Sequence, residues 1–208
     1  MAAQALEKWR RKAPFPYLHL PENFLYRHAV ELYLKAMIIT VHRARRLPYG
    51  RHSWTGVPHV EDGAGWKPLH RVYNVAALYA YVKRVIRRSR KAQAALALQG
   101  WAEDLTRLDA WVKVIEGSDD SSALFRYPTT KNLRQDRLKS SWQPVNPAKA
   151  LHDAILRRRV GPMSLSPRGP MKSYRFVRAP QRRLSIALRR AADTLCATHD
   201  RLRLGLDR

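Results

Sequence analysis

The sequence predicts an all-α fold, an antiparallel helical bundle of four to five helices with two long irregular loops. Three observations carry this expectation. Apolar residues recur at helical spacing over residues 21–46, 68–91, 92–116 and 181–204. Alternating strand patterns are scarce. Hydrophobic residues make up 45% of the 208 positions, enough for one domain with a sizeable core and too many for a disordered chain.

Residues 1–20 read as a short amphipathic arm, with Pro14 and Pro16 ending any helix begun at Ala2. Charges stand where a secretory signal would have its apolar segment, and no apolar run approaches the ~20 residues of a membrane helix. The expectation is a cytoplasmic protein with no membrane association, its single bundle domain spanning residues 21–208. Cys196 is the only cysteine, which excludes an intrachain disulfide and a cysteine-based zinc site. No histidine pair has zinc-protease spacing, so no metal is expected, and without a glycine-rich phosphate loop no cofactor is expected either.

The first long helix, residues 21–46, is the centre of the design. Leu25, Ala29, Leu32, Ala36 and Ile39 recur on one face, with Val30, Tyr33, Leu34, Met37 and Val41 on its flanks. Arg27, His28, Glu31 and Lys35 fall within an arc of roughly 100° at helical periodicity, a polar stripe on a helix otherwise fit for burial. Two readings stand. Arg27–Glu31 and Glu31–Lys35 are i,i+4 pairs that can form an internal salt-bridge ladder; alternatively, Arg27 and His28 face a cleft or a dimer partner, oriented by Glu31 and Lys35. The basic end, His42, Arg43, Arg45 and Arg46, suits the negative pole of the helix dipole.

Residues 47–67 form a long loop with Pro48, Gly50, Gly56, Pro58, Gly63 and Gly65, and with His52, Trp54, His59 and Trp66. Either the tryptophans pin a surface excursion to the core or the loop is functional. A second helix is expected to start at Pro68 and to end in a basic run that includes Arg84, Arg87 and Arg88, which is a solvated helix end or a phosphate-binding rim. In a third helix, Leu98, Trp101, Leu105, Leu108, Val112 and Ile115 alternate in steps of three and four, the seam spacing of a bundle, until Gly117 stops it. A second irregular stretch follows to residue 146; there the pair Asp119 and Asp120 reads as a cap or turn. A short helix starts after Asn146 and Pro147. Residues 160–180 are an extended or hairpin-like loop in which Tyr174 and Phe176 stand among Lys172, Arg175 and Arg178. That interleaving fits a nucleic-acid strip, or simply a loop docked by its aromatics. A last helix buries Leu184, Leu188, Ala191, Leu195 and Leu202.

Net charge is +24, from 40 Lys and Arg, 29 of them Arg, against 16 Asp and Glu. A field of this size attracts polyanions, so nucleic acid is the default partner and an acidic protein the next. Arg is favoured where phosphate is gripped by two N–H groups at once.

The segments FLYRHAVELYLKA at residues 24–36, HRVYN at 70–74 and DDSSALFRYP at 119–128 together resemble uncharacterised bacterial members of the HEPN superfamily (higher eukaryotes and prokaryotes nucleotide-binding). The resemblance covers about residues 21–128 and extends to the last helix. It implies a compact helical bundle that often forms a homodimer and acts in toxin–antitoxin or antiviral defence systems, either on RNA or, where catalysis is lost, as a binding module; a module that binds an acidic protein is the alternative to one that binds nucleic acid. Many members are metal-independent ribonucleases, with Arg, then four to six residues of which the first is commonly polar, and then His on a helix. Here Arg27 and His28 match the start, but Leu32, Tyr33 and Leu34 stand where the second His belongs. A ribonuclease would then be built from Arg27, His28 and His70, with a histidine as general acid or base and Arg126 steadying the phosphate. The expected candidates are accordingly Arg27, His28, Glu31, Lys35, His70 and Arg126 for chemistry, and Arg84, Arg87, Arg88, Lys172, Tyr174, Arg175 and Arg178 for nucleic-acid contact. His70 read without the resemblance is a helix cap or a core histidine.

Overall fold

Helices dominate because the apolar periodicity is helical, and they pack into an all-α bundle. The computed structural model describes residues 2–12, 19–63, 65–89, 92–94, 101–119, 124, 136–137, 139–140, 142–146, 148, 163–165, 173–176 and 181–206. The helices are α1 (Ala2–Lys12), α2 (His19–Arg45), α3 (Val75–Arg88), α4 (Trp101–Glu116) and α5 (Arg182–Leu206). Helix α2 packs against α1, α3 and α5, and α4 packs against α3 and α5. One continuous core results, with Val30, Leu34 and Met37 of α2, Leu78 of α3, Leu108 and Ile115 of α4, and Leu188, Leu195 and Leu202 of α5 fully buried. The arm is part of the bundle: α1 lies on α2, and Ala3 is in the core.

Helix α2 matches its expected bounds within two residues, but its buried side differs. Tyr26, Val30, Leu34, Met37, Ile38 and Val41 line the core, whereas Leu32 is 51% exposed and Leu25, Ala29 and Ala36 are only partly covered. Neighbours on three sides bury most of the helix circumference, so polar residues are enclosed with the apolar ones: His19, Glu22, Asn23, Arg27, Glu31 and His42 are all buried. The helix ends on Arg46 at φ +51°, and the Leu47 amide donates to the His42 carbonyl at 2.9 Å, a Schellman-type closure.

The 47–67 connection is more ordered than a plain loop. Gly50, at φ +62°, turns the chain so that Tyr49 and His52 exchange backbone hydrogen bonds. Strands β1 (His59–Glu61) and β2 (Trp66–Pro68) then pair antiparallel, His59 opposite Pro68 and Glu61 opposite Trp66. The second helix does not start at Pro68: a 3-10 turn over Leu69–Arg71 comes first, Val72 is extended, and α3 begins only at Val75, where the Asn74 side chain accepts from the Ala77 amide at 2.8 Å. The basic end of the expected helix lies within α3 only as far as Arg88. Between it and α4, residues 92–94 are helical.

The 160–180 segment contributes strands β4 (Met163–Leu165) and β5 (Ser173–Phe176), which join β3 (Trp142–Val145) in an antiparallel sheet of order β3-β5-β4. Pro144 is tolerated because β3 is an edge strand. Asn146 Oδ1 accepts from the Ala148 amide at 2.9 Å; the short helix expected after it, with Leu151, Ala154 and Ile155, lies outside the described residues apart from Ala148. Among the described residues, no helix is long and apolar enough to cross a membrane.

Candidate nucleic-acid interface

Two clusters of polar and aromatic side chains lie along α2, one inside the bundle and one at its surface. The inner cluster is the predicted stripe. Arg27 and Glu31 have side chains only 5% and 4% exposed; Arg27 Nη1 lies 3.4 Å from Glu31 Oε2, and Lys35 Nζ donates to Glu31 Oε1 at 2.8 Å. The chain adds two partners that helical periodicity could not reveal. Arg27 Nη2 donates to the Tyr73 carbonyl at 2.6 Å, and its Nε lies 3.4 Å from Asp119 Oδ2. Asp119 Oδ1 also accepts from the Leu124 amide at 3.0 Å, so this carboxylate closes a turn as well as an ion pair. Lys35 sits 5.0 Å from the centre of the Tyr73 ring. Two cations and two anions thus neutralise each other in the core, which satisfies the condition on which buried charge is tolerated.

His28 and His70 do not join this group. His28 is half-buried and stacks on Phe24 one turn earlier, ring centres 6.0 Å apart. His70 is exposed on the 3-10 turn rather than capping α3, the role taken by Asn74. Arg126 lies outside the described residues, as do Lys172 and Arg178. Tyr174 and Arg175 are placed by their backbone, Tyr174 paired with Pro144 and Ser164, Arg175 with Gln143 and Met163.

The outer cluster forms where the end of α2, the 47–68 connection and the second half of α3 meet. Its centre is His42, which is buried rather than poised as a charge at the helix terminus. The ring stacks on Tyr49 at 4.1 Å and lies parallel to Tyr81 at 5.9 Å. His42 Nδ1 contacts the Leu47 carbonyl at 2.9 Å, an acceptor only, so that nitrogen carries the hydrogen. Nε2 is left as acceptor for the Tyr81 hydroxyl at 3.2 Å. Burial holds the His42 pKa below its ordinary value against the opposing pull of the Leu47 carbonyl, so the imidazole is neutral. Burial likewise pushes Tyr81 up to about 12, which keeps it a donor.

Around this uncharged centre stands a basic rim. Arg43, Arg45, Arg46 and Arg51 are exposed, as are Arg87 and Arg88 in the last turn of α3. Arg84 is ion-paired with Glu61, and Lys67 with Asp62 at 2.7 Å. Eight cationic side chains therefore face two carboxylates. Of the basic-rim candidates, Arg87 and Arg88 project into solvent, while Arg84 is tied to Glu61 and lies 5.9 Å from the centre of the Tyr81 ring. Such a surplus of partly solvated guanidinium groups makes this surface locally positive and attractive to anions.

Aromatic rings interrupt the rim. His52 and His59 stack face to face, centres 3.8 Å apart and planes within 10°. Trp66 is 37% exposed, and an added Cβ at Gly50 would come within 2.5 Å of its ring, so only glycine lets the backbone pass beneath it. Arg46 lies 5.8 Å from the centre of the Trp54 ring. These rings stand out in the sequence as a concentration in one loop; their neighbourhood with the ends of α2 and α3 does not. Among the described residues no group of three or more His, Cys, Asp or Glu is arranged to hold a metal ion. Searched against protein-family models, curated proteins and solved structures, the chain matches none of them.

Proposed function

We propose that this protein binds nucleic acid, with RNA as the principal target, through the face formed by the end of α2, the β1–β2 connection and the last turns of α3. The observation that carries the reading is the rim of eight Lys and Arg side chains interrupted by exposed aromatic rings, on a chain of net charge +24. RNA as the target follows from the resemblance of the 24–36, 70–74 and 119–128 segments to HEPN proteins. Arg27 and Glu31, buried and mutually paired, act in this reading as architecture that ties α2 to the segment leading into α3 and to the segment that follows α4.

Fluorescence anisotropy with labelled RNA of mixed sequence, in EDTA and across a salt series, tests the proposal. Affinity falls steeply as salt rises, and Arg87→Gln/Arg88→Gln lowers the slope of log K against log salt by about 0.7 for each phosphate that is no longer neutralised. Absence of salt-sensitive binding to any RNA or DNA overturns the reading. The same samples on a denaturing gel address catalysis: intact RNA is expected. Cleavage in EDTA that disappears in Arg27→Ala/His28→Ala would instead make the protein a metal-independent ribonuclease.

A further inference from the structure

Antiparallel register decides which rings of the connection share a surface. Glu61 pairs with Trp66 and His59 with Pro68, so His59, Glu61 and Trp66 project from one face of the hairpin while Val60, fully buried, projects from the other. His52 is brought onto His59 by the tight turn at Gly50, and that same glycine underlies Trp66. Two ring systems thus lie on one short, backbone-braced segment. The His59 Nδ1–Val57 carbonyl contact at 2.7 Å fixes one imidazole, and the edge-on contact of Trp66 with Tyr81, centres 6.1 Å apart, fixes the indole. His52 is itself exposed, which leaves its outer face as the next place in the His59–His52 stack.

We infer that this hairpin is a stacking platform for unpaired nucleobases, with His52 on His59 and the indole of Trp66 receiving base faces, so that the protein takes single-stranded in preference to duplex nucleic acid. The inference rests on the nucleic-acid reading above and adds the form of the ligand. Guanidinium groups at Arg46, Arg51 and Arg87 hold phosphates of either form alike. Flat rings braced on a surface hairpin discriminate, because in a duplex the base faces are already covered by their neighbours, whereas a single strand can present each face in turn. Rings held in place before binding also lose little conformational freedom when a base arrives.

The test compares a labelled single-stranded oligonucleotide with a duplex of the same sequence and length, on wild type and on His52→Ala, His52→Phe and Trp66→Ala. His52 is exposed, so its variants keep the fold, and circular dichroism checks Trp66→Ala. Single-strand affinity exceeds duplex affinity in the wild type. It falls by about 5-fold or more for His52→Ala and Trp66→Ala, corresponding to a stacking contribution of about 1 kcal/mol or more per base, with the salt slope unchanged, and it is retained in His52→Phe. Equal affinity for both forms, insensitive to His52→Ala, overturns the platform while leaving the basic face intact. No binding to either form removes the nucleic-acid reading itself.

Discussion

Removing the Glu31 carboxylate probes the inner cluster most directly, because that one group faces two cations. In Glu31→Ala, Arg27 is deprived of its partner at 3.4 Å and Lys35 of its partner at 2.8 Å, both with side chains at most 13% exposed, while Asp119 alone remains to balance two positive charges. Breaking a buried pair by deleting one partner costs about 3–5 kcal/mol, chiefly because the other charge is left in the interior. For a chain of this size each kcal/mol at the midpoint corresponds to roughly 2–4 °C, so the melting temperature should drop by about 6–20 °C. Thermal unfolding followed by circular dichroism reads this, with Glu103→Ala as the comparison. That glutamate makes an i,i+4 pair with Arg107 at 3.8 Å, but the side chains of Arg107 and Glu103 are 63% and 78% exposed, and its loss should cost under about 1 kcal/mol. If Glu31→Ala were as mild as Glu103→Ala, the inner cluster could not be an electrostatic clamp.

Other perturbations address the outer cluster and the connection. The folded state holds His42 below its ordinary pKa of 6.5, so the unfolded chain binds more protons as pH falls through about 6.5, and stability should decline there and level off below the folded value. Melting temperature against pH should show a shallower acid decline for His42→Gln than for wild type. Gly50→Ala forces a side chain into a left-handed backbone and against Trp66, and should lower stability by about 1–2 kcal/mol or more, with a change in tryptophan fluorescence. Asn74→Ala removes the α3 cap and should cost about 0.5–2 kcal/mol in urea unfolding.

What the sequence makes legible follows from the range over which its signals act. The all-α class and the ends of α2 and α5 are written in local periodicity and termini, and the Arg27–Glu31–Lys35 ladder in i,i+4 spacing. The outward turn of Leu32 is not legible. On a helix enclosed over most of its circumference, apolar residues occur all round, and only the positions of α1, α3 and α5 decide which of them meet the core. Asp119 and the Tyr73 carbonyl join Arg27 from distant parts of the chain, and no spacing rule encodes that. The start of α3 differs from the expected one because Pro68, a favoured first-turn residue, instead ends a strand, and Asn74 supplies the cap. His42 has the sequence position of a dipole-compensating charge on its own helix; Tyr49 and Tyr81, which bury it, arrive from the connection and from α3.

The connection between α2 and α3 is anchored to α2 at both ends: at Leu47 by His42, and at Tyr73 by Arg27. With its ends held, lengthening the span between them adds only about 0.6 kcal/mol per doubling of loop length. Residues 53–57, a turn in which Gly56 donates to the Ser53 carbonyl, can therefore be rewritten or extended while the helices stay in register. The fold separates what it must keep constant from what it can vary. New ligand preferences can arise, by natural drift or by loop grafting, in a segment whose sequence the bundle scarcely constrains.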